Sequence, residues 1–414
     1  MALADRLRDD ANDLAPYLTS LRHTLHRRPE IGLQLPITQQ TVLEELDGLG
    51  LEVSTGTSLT SVTAVLRGTP GGPTVLLRGD MDALPVTEAS GVDFASEIDG
   101  AMHACGHDLH TAMLVGAAKL LSAHRDELAG DVVFMFQPGE EGFDGAGAML
   151  AEDVLLASGR RADSAYGMHV LSGFLPCGLF TTRPGPLMAA SDRLNVTVRG
   201  AGGHGSTPHL TKDPISVAAQ LVGDLQTLVT RRFDVLDPAV VTVGLFRGGT
   251  AANVIPDYAS FEATVRTFSE EAHERMRDEA VRLCEHVAKA YGLEADVDYS
   301  YEYPVTVNNA EHAAFGAEVA TEVFGDDHYQ PMGSPLTGAE DFSRVLAEVP
   351  GCYLFLGANT TGDWQSAPSN HSPRAAFDDS VLPQGVLLHA ELAIRALRRD
   401  AAADKSSVTS AASG

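Results

Sequence analysis

The chain has 414 residues, of which 44% are hydrophobic and 21% charged, a balance typical of folded globular proteins that excludes a disordered or fibrous chain. Its 29 lysines and arginines against 56 aspartates and glutamates give a formal net charge of -27, which argues against nucleic acid and anionic membranes as partners. The four cysteines are too scattered for a disulfide framework and the N-terminus lacks the apolar core of a signal peptide, so we expect a soluble cytoplasmic protein.

The first part of the chain predicts alternating helices and strands. Two helices are expected over about 12–50, where Leu18, Leu21 and Leu25 recur at helical spacing before Pro29. Apolar runs then predict a helix over 109–121 and strands over 61–68, 74–80, 131–137 and 164–170. Strands that alternate with helices indicate an α/β layer fold with a largely parallel or mixed sheet flanked by helices.

The pattern changes after the RPGP segment at 183–186. Strands are predicted over 192–200, 240–248, 257–268 and 295–303, with helices over 213–232 and 269–292. Asp213 and Ser269 are the expected N-caps of these helices. This β-α-β-β-α-β order is ferredoxin-like.

A strand at 352–358 and a closing helix near 382–399 return the chain to the first pattern. We therefore predict a discontinuous catalytic domain over 1–184 and 303–400, an inserted domain over 185–302, and a disordered tail over 401–414.

The densest group of chemically active side chains lies in the segment MHACGHDLH, at a predicted junction of strand, loop and helix. Three histidines, one cysteine and one aspartate fall within eight positions there. A thiolate and an imidazole two residues apart, as in Cys105 and His107, can bind one metal ion.

Carboxylates follow two of the predicted buried strands. Glu140 and Glu141 come after the strand at 131–137, and Asp82 comes after the strand at 74–80. Open α/β sheets place their sites at the carboxyl ends of strands. One of two adjacent glutamates can bind a metal while the other acts as a general base. We interpret Asp82 as a carboxylate that orients a ligand histidine.

Two further histidines complete a set of donors. His169 ends the strand at 164–170, and His371 lies in the polar segment NHSP. With Cys105, His107 and Glu141 they offer five ligands, enough for two metals that share one bridging group.

Taken in order, the segments RGDMDALP, MHACGHDLHTAM, FQPGEEG, GMHV, GGHGSTPH, AANVIPD, GAEDF and NHSP resemble the dimetal amidohydrolases of metallopeptidase clan MH. The most similar branch contains hippurate hydrolases, N-acyl-amino-acid amidohydrolases and plant auxin–amino-acid conjugate hydrolases. The resemblance covers about residues 20–395. It implies hydrolysis of N-acyl amino acids with two Mn²⁺ or Zn²⁺ ions per chain. It also implies an α/β catalytic domain with a ferredoxin-like lid, through which a homodimer or larger homo-oligomer forms.

The same resemblance implies roles for individual residues. The metal ligands are a bridging Cys105 with His107, Glu141, His169 and His371. The general base is Glu140, the oxyanion is stabilised by His204, and the substrate carboxylate is held by Asn253 and Arg266. One departure matters: this chain has Asp80 where wider relatives carry a ligand histidine, so that ligand role is not carried over.

Three alternatives stay open. A dipeptidase or carboxypeptidase of the same fold would also cleave an amide beside a free carboxylate. A non-catalytic binding protein would keep the ligands without turnover. The run GAGGHG at 200–205 matches the glycine pattern of dinucleotide-binding proteins, although the next helix is expected only at about 213.

Overall fold

A computed structural model describes residues 2–411, which form two compact units. The first unit comprises residues up to 185, 307–333 and those from 344 onward, and the second comprises 186–306 and 334–343. The helices are α1 (Leu3–Asp13), α2 (Ala15–His26), α3 (Pro36–Leu46), α4 (His107–Ala123), α5 (Gly145–Ala151), α6 (Pro214–Arg232), α7 (Glu270–Ala290), α8 (Ala310–Phe324), α9 (Ser343–Glu348) and α10 (Leu382–Ala411). The strands are β1 (Glu52–Thr55), β2 (Val62–Leu66), β3 (Thr74–Asp80), β4 (Asp131–Gln137), β5 (Ser164–Leu171), β6 (Phe180–Thr181), β7 (Gly185–Met188), β8 (Ser191–Arg199), β9 (Gly203–His204), β10 (Ala239–Gly248), β11 (Val254–Ile255), β12 (Tyr258–Thr267), β13 (Glu294–Tyr303), β14 (Thr306–Asn308) and β15 (Gly351–Gly357).

The first unit is built on a seven-stranded sheet in the order β1-β2-β4-β3-β5-β15-β6. Its centre is parallel, because β3 pairs in parallel with β4 and β5, and β5 pairs in parallel with β15. The outer strands β1, β2 and β6 are antiparallel to their neighbours. The apolar runs at 74–80 and 131–137 are almost wholly buried, as expected for central strands covered on both faces. The predicted α/β fold with a mixed central sheet is confirmed.

The second unit is a four-stranded antiparallel sheet in the order β10-β12-β8-β13. Helices α6 and α7 pack on it around a separate apolar core that includes Val196, Leu221 and Phe261. Asp213 accepts a hydrogen bond from the Ile215 N–H at 2.9 Å, and Ser269 accepts one from the Ala272 N–H at 3.0 Å. The order β8-α6-β10-β12-α7-β13 is the predicted ferredoxin-like arrangement.

Some elements differ from the sequence-based expectations. Three helices, not two, precede β1. The additional helix is α1, which buries Leu7 and Ala11 on one face. Its many charged residues obscure the helical pattern in the sequence. Residues 334–343 pack with the second unit, where Leu336 exchanges backbone hydrogen bonds with Leu187 and Ala189. Helix α10 continues through 401–411, part of the predicted disordered tail, and 412–414 lie outside the described residues. The alanines at 401–403 favour that continuation.

Among the residues described, no helix combines the length and the apolar character that crossing a membrane requires.

A buried ion cluster ties α2 to the start of α4. Arg22 Nε donates to Asp108 Oδ2 at 3.0 Å, and His26 Nδ1 lies 2.8 Å from the same oxygen. His26 Nε2 faces Glu88 at 3.2 Å. Burial lowers the pKa of His26, but the charge of Asp108 and the hydrogen bonds to Asp108 and Glu88 outweigh it and raise that pKa to about 9.

Because this folded pKa lies above the ordinary value of 6.5, protonated His26 stabilises the fold fully below about pH 6.5. The contribution is lost as the pH rises through about 9. We expect the difference in unfolding free energy between wild type and His26→Gln to shrink by about 3 kcal/mol from pH 6 to pH 10, since one pKa unit is worth about 1.4 kcal/mol. Urea denaturation of both proteins at each pH measures this difference in unfolding free energy. The exposed His286 supplies the control His286→Gln, which should follow the wild-type profile. Parallel profiles for wild type and His26→Gln would contradict the assignment.

Candidate metal centre

The candidate ligands of the first unit lie at one edge of its sheet. Glu141 follows β4, His169 lies near the end of β5, and Cys105 and His107 lie where a loop enters α4. Strands β4, β3 and β5 are adjacent and parallel, so their carboxyl ends meet at one edge. His371 reaches that edge from the loop between β15 and α10.

The structure brings all five expected ligands together. Cys105 Sγ lies 3.3 Å from Nε2 of His169 and 3.3 Å from Nε2 of His371. Glu141 Oε1 lies 3.2 Å from His371 Nε2 and 3.9 Å from His107 Nε2. The His371 side chain is 55% exposed, whereas the other donors are buried or nearly so, so the cluster meets solvent on the side of His371.

The hydrogen bonding of this cluster fits a metal site. Both ring nitrogens of His107 are buried without a hydrogen-bond partner among the residues described. Buried polar atoms normally have hydrogen-bond partners. Unpartnered nitrogens close to the thiol of Cys105 and the imidazoles of His169 and His371 therefore indicate a cation site. Sulfur, nitrogen and carboxylate donors of this kind suit zinc and related divalent metals.

The tautomer of His169 is set for ligation. Its Nδ1 lies 2.7 Å from the Val170 carbonyl, which can only accept, so Nδ1 carries the proton. Nε2 therefore directs a lone pair toward Cys105. Burial is the main cause that lowers the pKa of His169, and the neighbouring His110 adds to it, so the imidazole stays neutral, as a metal ligand must.

Contacts within the cluster favour the charged forms of His371 and Glu141. Hydrogen bonds to Cys105 and Glu141 raise the pKa of His371 to about 10. Burial raises the pKa of Glu141, but His371 and His107 outweigh it and lower that pKa. Since a ligand nitrogen must lose its proton to bind metal, metal binding here would release protons.

Asp82 holds the loop that carries both glutamates. Its two oxygens accept the backbone N–H groups of Glu140 and Glu141, each at 3.0 Å. Oδ1 also lies 3.5 Å from Nδ1 of His107. Asp82 thus faces a candidate ligand histidine, and Glu140 is buried in a group with His107 and Glu141.

Sequence reasoning missed the role of His110. Its Nδ1 lies 2.5 Å from Asp80, and its Nε2 accepts the Val170 N–H at 2.8 Å. Arg78 binds the other oxygen of Asp80 at 2.5 Å. These partners occupy both nitrogens of His110, so it aligns the end of β5 and is not an open ligand. The three-residue spacing from His107 on α4, which puts both side chains on one helix face, is the signal that could have found it.

The remaining expected residues belong to the second unit. The His204 backbone pairs with Val254 in the short ribbon of β9 and β11, and Gly205 N–H donates to the Asn253 carbonyl at 2.9 Å, so His204 and Asn253 are neighbours. The Ser206 backbone N–H donates to His204 Nδ1 at 3.1 Å. A backbone N–H can only donate, so neutral His204 carries its proton on Nε2.

Arg266 lies elsewhere in the second unit, on β12. It lines a cavity of about 360 Å³ together with Asp192, Arg193 and Glu302. Burial lowers the pKa of Arg266, and the neighbouring carboxylates oppose that effect.

Comparison with known proteins gives consistent matches along the chain. Residues 76–395 match the sequence model of a family described as Peptidase family M20/M25/M40. Thermostable carboxypeptidase 2 of Saccharolobus solfataricus is 38% identical over 95% of this chain and 99% of its own length. The hippurate hydrolase of Campylobacter jejuni is 35% identical over 93% of this chain and 98% of its own length. A crystal structure from Bacillus subtilis, described as a dinuclear metal binding peptidase from the M20 family, superposes with a TM-score of 0.79 at 33% identity, covering 94% of this chain and 99% of that chain.

Proposed function

Since the chain belongs to peptidase family M20/M25/M40, a family of metal-dependent hydrolases, we propose that it cleaves the amide bond of N-acyl amino acids such as hippurate. The observation that carries the proposal is the five-donor cluster, in which the two ring nitrogens of His107 are buried and unpaired and lie in one group with Glu140 and Glu141. Such a cluster suits an amidohydrolase better than a dinucleotide-binding protein, which would need a helix directly after GAGGHG.

Cys105, His107, Glu141, His169 and His371 would hold two divalent ions, with Cys105 between them. When bound, these ions would polarise the amide carbonyl and lower the pKa of the attacking water. The thiolate favours zinc, whereas the carboxylate also accepts manganese, so Mn²⁺ and Zn²⁺ are the ions to test.

Glu140 would act as the general base. Asp82 holds the backbone of Glu140 next to that of Glu141. The carboxylate of Glu140 lies in one group with His107 and Glu141, but it is not among the five proposed ligands. It would take one proton from water as the oxygen attacks the amide carbon. It would then deliver that proton to the leaving nitrogen as the C–N bond breaks, which yields a carboxylic acid and a free amino acid.

The second unit would supply the lid and the remaining contacts to substrate. His204 would donate from Nε2 to the oxyanion that forms on the former carbonyl oxygen, since Ser206 occupies Nδ1. Arg266 would bind the substrate carboxylate through its guanidinium. Asn253, which precedes β12 whereas Arg266 lies near the end of that strand, would contact the substrate beside His204. We further propose a cytoplasmic homodimer assembled through this unit. The free thiols of Cys105, Cys177, Cys284 and Cys352 support a reducing compartment.

A carboxypeptidase is the second candidate. It is favoured by one observation, the 38% identity to a protein named thermostable carboxypeptidase over almost the whole of both chains. Both reactions cleave an amide beside a free carboxylate, and they differ in whether the acyl side is a simple acyl group or a peptide.

Hydrolysis of a substrate panel tests both candidates. The protein is stripped with a chelator, restored with Mn²⁺ or Zn²⁺, and assayed for amine release from hippurate and N-acetyl amino acids beside blocked and free dipeptides. Release from the N-acyl amino acids that depends on metal supports the proposal. Preference for peptides supports the carboxypeptidase. Two bound metals without turnover of any substrate would favour the non-catalytic alternative.

A further inference from the structure

The side-chain amide of Asn370 joins three chain segments around the cluster. Its Nδ2 donates to the backbone carbonyl of Cys105 at 3.1 Å and to that of Val170 at 3.0 Å. Its Oδ1 accepts the Ser172 N–H at 2.9 Å and the Ser172 hydroxyl at 3.0 Å. Nδ2 also lies 3.9 Å from Cys105 Sγ. One side chain therefore connects the loop before α4, the end of β5 and the loop after β15.

Each of these segments carries a candidate ligand at or next to the point of contact. Cys105 is contacted directly, Val170 follows His169, and Asn370 itself precedes His371. The backbone of His371 has a φ of 70°, a left-handed conformation that residues other than glycine rarely adopt. Its N–H donates to the Ala104 carbonyl at 2.9 Å. Histidine would not adopt this backbone conformation by its own preference. The neighbouring segments therefore impose it, and with it the orientation of the His371 side chain.

We propose that Asn370 is a positioning residue that keeps the sulfur of Cys105 and the imidazoles of His169 and His371 at their mutual distances. This inference rests on the proposed function, because it takes the cluster to be a metal site. The amide is suited to the role since it donates two hydrogen bonds and accepts two at once. Aspartate has the same shape but loses both donors, and its charge would face the carbonyls of Cys105 and Val170.

Asn308 offers a matched control. This buried asparagine also makes four hydrogen bonds, donating to Thr182 Oγ1 at 2.9 Å, to the Arg183 carbonyl at 3.0 Å and to the Tyr353 carbonyl at 3.1 Å, and accepting the Tyr353 N–H at 2.7 Å. The segments that it joins carry none of the candidate ligands. Asn308→Ala thus removes the same number of side-chain hydrogen bonds as Asn370→Ala, but away from the cluster.

The experiment compares wild type, Asn370→Ala, Asn370→Asp and Asn308→Ala as full-length proteins. Affinity for Zn²⁺ and Co²⁺ is measured by competition with a chelator, the sulfur-to-cobalt charge-transfer band reports the Cys105 site, and thermal unfolding reports the fold. We expect both Asn370 variants to lose about 10–100-fold in affinity for at least one metal and to alter the band. Asn308→Ala should lower the melting temperature but keep wild-type affinity and band.

The inference is overturned if the Asn370 variants bind metal as wild type does, or if Asn308→Ala weakens binding equally. Asn370→Asp keeps the side-chain shape, so the test does not depend on the alanine variant folding. Wild-type protein that binds neither metal would instead overturn the proposed function itself, and the inference with it.

Discussion

Glu140→Gln is expected to lower kcat about 10²–10⁴-fold, the range that a general acid–base group contributes. Glutamine keeps the size of the side chain and the backbone N–H that Asp82 holds, but it cannot take a proton from water. KM and the number of bound metals should change little, since the five donors of the cluster stay in place. Steady-state kinetics on the best N-acyl substrate and elemental analysis of the purified variant measure both quantities.

The neighbouring Glu141→Gln is the matched comparison. Its carboxylate lies 3.2 Å from His371 Nε2 and belongs to the proposed ligand set, so this variant should lose metal as well as turnover. High concentrations of metal should restore part of the activity of Glu141→Gln and none of that of Glu140→Gln. The roles of the two glutamates would be refuted by a Glu140→Gln enzyme that keeps kcat within about threefold, or that loses its metals.

Cys105→Ala should reduce activity by about 10³-fold or more, because the metals supply several kcal/mol of transition-state stabilisation and each 1.4 kcal/mol is tenfold in rate. The sulfur lies 3.3 Å from two other candidate ligands, so its removal opens the middle of the cluster. Bound metal should fall to one ion or fewer per chain by elemental analysis. Cys105→Asp restores a charged donor and should recover part of the activity, with manganese favoured over zinc.

Cys352→Ala is the control for the loss of a buried thiol. Cys352 is fully buried on β15, and its sulfur lies 3.4 Å from Thr182 Oγ1. It belongs to none of the metal-binding groups among the described residues, so metal content and kcat should stay at wild-type values. Two metals and normal turnover in Cys105→Ala would remove the basis for a bridging cysteine.

Much of the fold could be predicted because its central strands are continuous apolar runs in the sequence. The runs TVLLRGD and DVVFMFQ predict β3 and β4 at the bounds that the structure has, since a strand covered on both faces is a continuous apolar run. Helix α1 escaped prediction because only Leu7 and Ala11 are buried, among charged residues that face solvent. The packing of 334–343 with the second unit depends on backbone pairing at Leu336, which no pattern of side chains reveals.

The candidate site was predictable only as a set of residue types. Cys105 and His371 are 266 positions apart, and no spacing rule indicates that their side chains lie 3.3 Å from each other. The residues that bind the segments carrying the candidate ligands are harder still to predict, because His110 and Asn370 contact the backbone of Val170 and Cys105 there. A backbone carbonyl or N–H carries no signature of residue type in the sequence.

The order in which the ligands occur along the chain has a consequence for biosynthesis. Cys105, His107, Glu141 and His169 precede the second unit along the chain, whereas His371 and α10 follow it. A nascent chain on the ribosome therefore holds an open set of thiol, imidazole and carboxylate groups through the synthesis of the entire second unit. Metal acquired during that interval would be held by fewer donors and would exchange readily. Chains that terminate before His371 would lack one of the five donors, and we expect them to bind metal more weakly than chains that contain it.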